Sequence, residues 1–348
     1  MKKADLKAMT FPEIAELVSS LGEKPFRAKQ IFKWVYRGAE SVWDMTDLSK
    51  DFREKLSLVA YIGHLEIAEK LVSKIDGTIK YLFRLSDGNV IESVLMSYKH
   101  GNTICVSSQV GCRMGCRFCA STIGGLVRNL TASEIIDQIM KAESDSGRKI
   151  SNIVMMGIGE PLDNFENVIK FLRNVNHSDG LNIGYRHISL STCGVVDGIY
   201  DLAKENLPIT LSISLHAPFD EMRRELMPVD VKYPLPRLMQ ALSDYLSVTG
   251  RRISVEYSMI QGKNDTRECA KELARLFSKM LVHINLIPIN DVKERDYIKS
   301  NAKRIREFQD ELTKLGLSVT VRRELGSDIN AACGQLRKSH MEKTEKTQ

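Results

Sequence analysis

From Gly101 onward the chain alternates short apolar runs with long amphipathic stretches, and no other feature limits its fold as tightly. Runs at 103–106, 152–156, 187–191, 210–215, 253–259 and 283–288 read as strands, and most are separated by stretches of helical periodicity. One such stretch opens with Thr131-Ala-Ser-Glu134, a capping box ahead of Ile135, Ile136, Ile139 and Met140. Strands alternating with helices imply a parallel sheet with right-handed crossovers. Six units fall short of a closed eight-fold barrel, so the pattern predicts an α/β fold built as an open or partial (β/α)6 barrel. In such sheets chemistry gathers at the carboxyl ends of the strands. A last strand at 317–322 leads to a loop that reaches Cys333, beyond which the chain is polar.

Before Gly101 the rhythm differs. Helical patterns at 11–21, 26–36 and 47–58 precede strand-like alternation over 65–96, which is broken by the turn-forming Ser86-Asp87-Gly88. We therefore divide the chain into an N-terminal helical accessory domain (1–62), a β-rich segment (63–97), a core with its C-terminal loop (98–333) and a polar tail (334–348). With 43% hydrophobic and 27% charged residues the chain is neither disordered nor fibrous. No run approaches the roughly 20 apolar residues of a membrane helix, and the first residues lack the pattern of a secretory signal. The expected location is cytoplasmic. There, seven cysteines point to metal or redox chemistry rather than disulfides. A net charge of +6 permits a polyanionic partner without requiring one.

The strongest chemical signal is Cys112-Arg-Met-Gly-Cys116-Arg-Phe-Cys119. Three thiols at C-x3-C-x2-C on one glycine-containing loop, just after the first barrel strand, suit an iron–sulfur cluster. A structural zinc site wants four ligands, usually in two separated pairs, and no second pair exists. A cubane cluster also wants four ligands, so one iron is left for a group that is not protein.

With Phe118 just before its last cysteine, this loop resembles the cluster loop of the radical S-adenosylmethionine (SAM) superfamily. The resemblance implies one 4Fe-4S cluster held by Cys112, Cys116 and Cys119, with SAM on the open iron. It also implies cleavage of SAM to a 5′-deoxyadenosyl radical. Gly157-Ile-Gly159-Glu160-Pro161, after the strand at 152–156, is similar to the superfamily's motif for the SAM amino group. Several stretches narrow the likeness: FRAKQIFKW at 26–34, VSSQVG at 106–111, RHISLST at 186–192, ISLHAP at 213–218 and NAACGQL at 330–336. They resemble the dual-specificity methyltransferases that act on adenine C2 in 23S ribosomal RNA and tRNA, over essentially the whole chain to Cys333.

This likeness implies methylation of C2 of adenosine 2503 in 23S rRNA, and of adenosine 37 in certain tRNAs, with two SAM consumed per methylation. It assigns SAM contacts to Gly159, Glu160, Ser191, Ser214, Leu215, His216 and Asn290. It makes Cys333 the methyl carrier and Cys105 the thiol that resolves a transient covalent RNA adduct. It makes Glu92 the acceptor of the C2 proton. The chemistry explains the detour: adenine C2 is electron-poor, so the electrophilic methyl of SAM cannot attack it directly. Without the likeness, Ser191 and Ser214 would be ordinary strand-end hydroxyls, His216 a core histidine, and Cys105 and Cys333 small buried hydrophobes.

The implied partners are 23S rRNA, tRNA and an electron donor such as flavodoxin or ferredoxin, with no membrane; we expect a monomer. Arg27, Lys29, Lys33 and Arg37 on the second helix become candidate phosphate contacts, and Trp34 a core anchor or a stacking face. Cys193 could lie near the ligand, and Cys269 reads as a packing residue. Two rivals stand beside this reading. Relatives that methylate C8 of the same adenosine share both cysteines and the cluster loop. An iron–sulfur RNA-binding module would need no SAM contacts at successive strand ends.

Overall fold

The computed structural model describes residues 3–289 and 297–329. Asn290 and Cys333 lie outside them.

Three helices lead the chain, α1 (Phe11–Ser20), α2 (Phe26–Tyr36) and α3 (Lys50–Val59). Helix α3 begins later than the periodicity suggests because Ser49 is its cap, accepting from Phe52 N at 3.3 Å. Asp47 instead accepts the indole N–H of Trp34 at 2.6 Å. Trp34 is thereby half-buried against the core, with its polar edge satisfied.

Strands β1 (Glu66–Val72), β2 (Ile79–Arg84) and β3 (Val90–Tyr98) form an antiparallel arm. The arm is continuous with the barrel, since β3 pairs directly with β4 (Gly101–Cys105). From β4 the chain winds through α4 (Ala132–Ser146), β5 (Ile150–Met155), α5 (Phe165–Asn176), β6 (Ile188–Thr192), α6 (Val196–Lys204) and β7 (Thr210–Ser214). It continues through α7 (Asp220–Leu226), α8 (Leu235–Thr249), β8 (Ile253–Met259), α9 (Arg267–Phe277), β9 (Val282–Pro288), α10 (Ala302–Lys314) and β10 (Val319–Val321). The ten strands form one sheet in sequence order, parallel from β4 to β10. Its edge strands, β1 and β10, do not pair with each other, so the barrel is open. The capping box at Thr131 and Glu134 starts α4, and Gly147 in the left-handed region ends it.

Strand alternation sorts the two faces of the sheet. Ile188, Leu190, Leu211, Ile213 and Val255 are buried and apolar. The intervening Ser191, Ser214, Glu256 and Ser258 turn to the other face, where a cavity lies. The N-terminal helices share the barrel's apolar core. Phe11 stacks on His177 of the barrel at 5.1 Å, and a buried Lys7–Asp137 ion pair ties the chain start to α4. Among the described residues no helix is long and apolar enough to cross a membrane.

Candidate active site

A cavity of about 250 Å³ opens between the cysteine loop and the carboxyl ends of β5 to β9. Its lining brings together Cys112, Cys116, Cys119, Gly159, Glu160, Ser191, Ser214 and His216. Cys193 also lines it, while Cys269 is buried on α9 in the apolar core. Leu215 is fully buried and is not among the lining residues; its N–H donates to the Glu256 carbonyl at 3.1 Å. Glu92 on β3 and Cys105 on β4 are buried outside this lining.

The cysteine loop is carried by a short antiparallel hairpin, Gln109–Gly111 with Leu126–Asn129, that the sequence pattern does not reveal. Cys112 N donates to Gly125 O at 3.0 Å and Arg117 N to Leu226 O at 2.9 Å, which anchors the loop at two points. Burial first, and then neighbours that include the Cys119 thiol, Glu160 and Asp163, push the Cys112 thiol up to about 12. Burial, then Cys119 and Cys112, push the Cys116 thiol up as well. Among the described residues no three His, Cys, Asp or Glu side chains converge on a single metal ion. A cubane cluster does not require that, because each thiolate sits on its own iron. Crowded thiols, two of them desolvated and held from ionising, fit a cationic iron core that would relieve that pair.

Glycines bring the next segment close. A Cβ at Gly157 would lie 2.6 Å from Val106 O and 2.7 Å from Ser107 N, so only glycine lets the β5 loop pack on the chain leaving β4. Gly159 has φ +107°, and a Cβ there would strike Gln109. Gln109 is wholly buried and accepts from Glu160 N at 2.8 Å; its amide donates to Asn129 and Asp163. The Glu160 carboxylate accepts from Leu162 N at 3.0 Å and Cys193 N at 2.7 Å. Burial pushes this carboxyl up in spite of those bonds. A cation in the cavity would reverse that push, and the ammonium group of SAM fits.

Across the cavity, Ser191 Oγ and Ser214 Oγ lie 3.3 Å apart. His216 occupies the left-handed region at φ +58°, and its Nδ1 accepts from Ser258 N at 3.0 Å. Burial, then the charge of Arg223, hold its pKa down to about 3. The ring is neutral, and with Nδ1 accepting, the hydrogen is assigned to Nε2. Phe118 meets this ring edge-on at 4.8 Å, which explains an aromatic residue before the last cysteine.

Sequence reasoning gave no role to Gln109, Ser107, Glu256 or Arg322. The first two sit inside the stretch at 106–111, where the signal available was the likeness alone. Ser107 Oγ donates to Glu92 O at 2.7 Å and accepts from Ile158 N at 3.0 Å, joining three strand ends. Glu256 and Arg322 line the cavity from β8 and from just beyond β10.

Residues 106–277 match the model of the Radical SAM superfamily, and the fold and cavity define a radical SAM enzyme. Residues 4–62 match the ribosomal RNA large subunit methyltransferase N-terminal domain. The chain is 54% identical to the probable dual-specificity RNA methyltransferase RlmN of Alkaliphilus oremlandii, over 98% of this chain and all of that one. It is 53% identical to the protein of the same description from Lachnoclostridium phytofermentans, over 99% and 97%. A crystal structure of a radical SAM methyltransferase from Sphaerobacter thermophilus superposes with a TM-score of 0.89 at 42% identity, covering 95% and 98%. The chain belongs to the RlmN family of dual-specificity RNA methyltransferases, and it is a radical SAM RNA methyltransferase.

Proposed function

We propose that the enzyme methylates C2 of adenosine 2503 in 23S rRNA and of adenosine 37 in tRNA, with two SAM used per methyl group. What supports this is near-full-length identity to proteins described as dual-specificity RNA methyltransferases, joined to one cavity lined by the three thiols and the strand-end polar groups. The same reading assigns residues 1–62 to RNA binding, 63–97 to the β-rich arm and 98–333 to catalysis, followed by the tail at 334–348. It takes the protein to be a monomer fed electrons by a flavodoxin or ferredoxin.

Cys112, Cys116 and Cys119 would hold a 4Fe-4S cluster. When bound, the cluster and SAM supply the 5′-deoxyadenosyl radical. Glu160 and the carbonyls around Gly159 would take the SAM ammonium group; Ser191, Ser214, Leu215, His216 and Asn290 would complete its cradle. Neutral His216 offers its Nε2 hydrogen as a donor without adding positive charge beside a sulfonium. Cys333 would carry the methyl group as a thioether; a hydrogen atom lost from that methyl to the 5′-deoxyadenosyl radical would leave a methylene that bonds to adenine C2. Glu92 would accept the C2 proton, and the one unpaired electron left on the ring would leave to the electron carrier. The Cys105 thiolate would then attack the Cys333 sulfur. The S–S bond replaces the S–C bond, whose electron pair stays with the methylene carbon, and that carbon takes a proton to become methyl.

A trapped adduct tests the order of events. Cys105→Ala should keep RNA covalently attached, giving a nuclease-sensitive upward shift on denaturing electrophoresis. Cys333→Ala and the double variant should show none. Clean RNA release from Cys105→Ala, or an adduct in Cys333→Ala, contradicts the assigned roles.

A further inference from the structure

Lys80 on β2 and Glu92 on β3 are both buried, and Lys80 Nζ lies 3.1 Å from Glu92 Oε2. Taking two charges out of water is expensive, and a buried ion pair is a weaker stabiliser of a sheet than apolar residues of similar volume. This pair therefore calls for a reason other than stability.

Its position supplies one. Register sets Lys80 opposite Val94, and Val94 opposite Cys105. Strand alternation puts Glu92 on the same face as Val94, so the ion pair and the Cys105 thiol share one face of the sheet. Lys80 is two strand spacings from Cys105, roughly 10 Å between Cα atoms. Val94, Met96 and Cys105 form an apolar patch covered by Val154, Met156 and Leu325. Met156 also lines the cavity, so this patch and the cavity adjoin. Glu92 is held from both ends: Ser107 Oγ donates to its carbonyl, and Lys80 sits on its carboxylate.

We propose that Lys80 is the positioning residue of the proton-transfer step, its ammonium holding the Glu92 carboxylate in the orientation that faces adenine C2. This rests on the reading of Glu92 as the proton acceptor. In that step the C2–H bond breaks, its electron pair stays in the ring, and the proton passes to a Glu92 carboxylate oxygen. Lys80 transfers no proton in this step. Its loss would leave the buried Glu92 carboxylate without the ion-pair partner that fixes its direction.

The test compares Lys80→Met, Lys80→Arg and Glu92→Gln in the reconstituted full-length enzyme with a transcript of the 23S rRNA segment bearing the adenosine. Two rates are followed: SAM cleavage, and release of the covalent RNA adduct. Lys80→Met should cleave SAM at the wild-type rate yet release RNA about 100-fold more slowly, the scale of a lost proton-transfer group. Lys80→Arg, which keeps the charge, should recover most of that loss. Glu92→Gln should trap the adduct. Release at the wild-type rate in Lys80→Met, with Glu92→Gln trapping, overturns the role of Lys80 and leaves Glu92 standing. A joint fall of cleavage and release in Lys80→Met, with Lys80→Arg normal in both, also overturns it by assigning Lys80 to the fold. Normal release in Glu92→Gln overturns the reading of Glu92 itself.

Discussion

The imidazole of His216 stays neutral across the physiological range because burial, and then the Arg223 guanidinium, hold its pKa near 3. In the unfolded chain the same ring titrates near 6.5. Between those values the unfolded state binds a proton that the folded state refuses, so stability is full above pH 6.5 and falls as the pH drops toward 3. At pH 5.5 the cost is about 1 kcal/mol relative to pH 7.5. His216→Asn tests this, because asparagine tolerates the left-handed backbone and offers an oxygen to Ser258 N. Unfolding midpoints at the two pH values should differ less in the variant than in the wild type; an equal difference contradicts the buried neutral ring. The cysteines stood out in sequence by their spacing and Glu160 by a motif likeness, and the structure places them on one cavity. Gln109 and Lys80 did not stand out: a buried amide or lysine inside a strand-like run looks no different from a solvated one until its neighbours are known.

Among the elements, the parallel strands fell where apolar runs predict them, since a strand covered by helices must be apolar on its hidden side. The cysteine-loop hairpin did not, because short strands held by a few backbone bonds carry no periodic signal. Helix α2 changes meaning when its charges are placed. Lys29 and Lys33 lie 3.6 and 3.4 Å from Asp179, and Arg27 bonds Gln30 and the Asp47 carbonyl. These cations already have partners, although exposed pairs of this kind contribute at most about 1 kcal/mol. Arg37 at the end of the helix is exposed and has no ion-pair partner among the described residues. Arg37→Glu should weaken RNA binding and flatten its log–log salt dependence by about one unit. Affinity and slope unchanged from wild type in filter binding at several salt concentrations would make α2 a docking element rather than an RNA contact.

At the scale of the molecule, the segment after β10 fastens to the antiparallel arm. Leu325 packs on the Cys105 patch, Gly326 N donates to Asp76, and Lys74 N donates to Asp328, both at 2.8 Å. The N-terminal helices are fastened to the barrel by Lys7–Asp137 and by Phe11 on His177. Both flanking segments are thus fixed around a sheet whose arm and barrel are continuous. Sequence periodicity shows the alternation of elements but carries no term for this long-range fastening, which depends on single side chains far apart in the chain. The central claim is a methyl group placed on adenine C2 of RNA, and nucleoside mass spectrometry tests it most directly. Protein reconstituted without oxygen and supplied with SAM and a reductant should convert the target adenosine of unmodified 23S rRNA and tRNA to 2-methyladenosine. Recovery of 8-methyladenosine instead, or of unmodified adenosine while SAM is being cleaved, would contradict it.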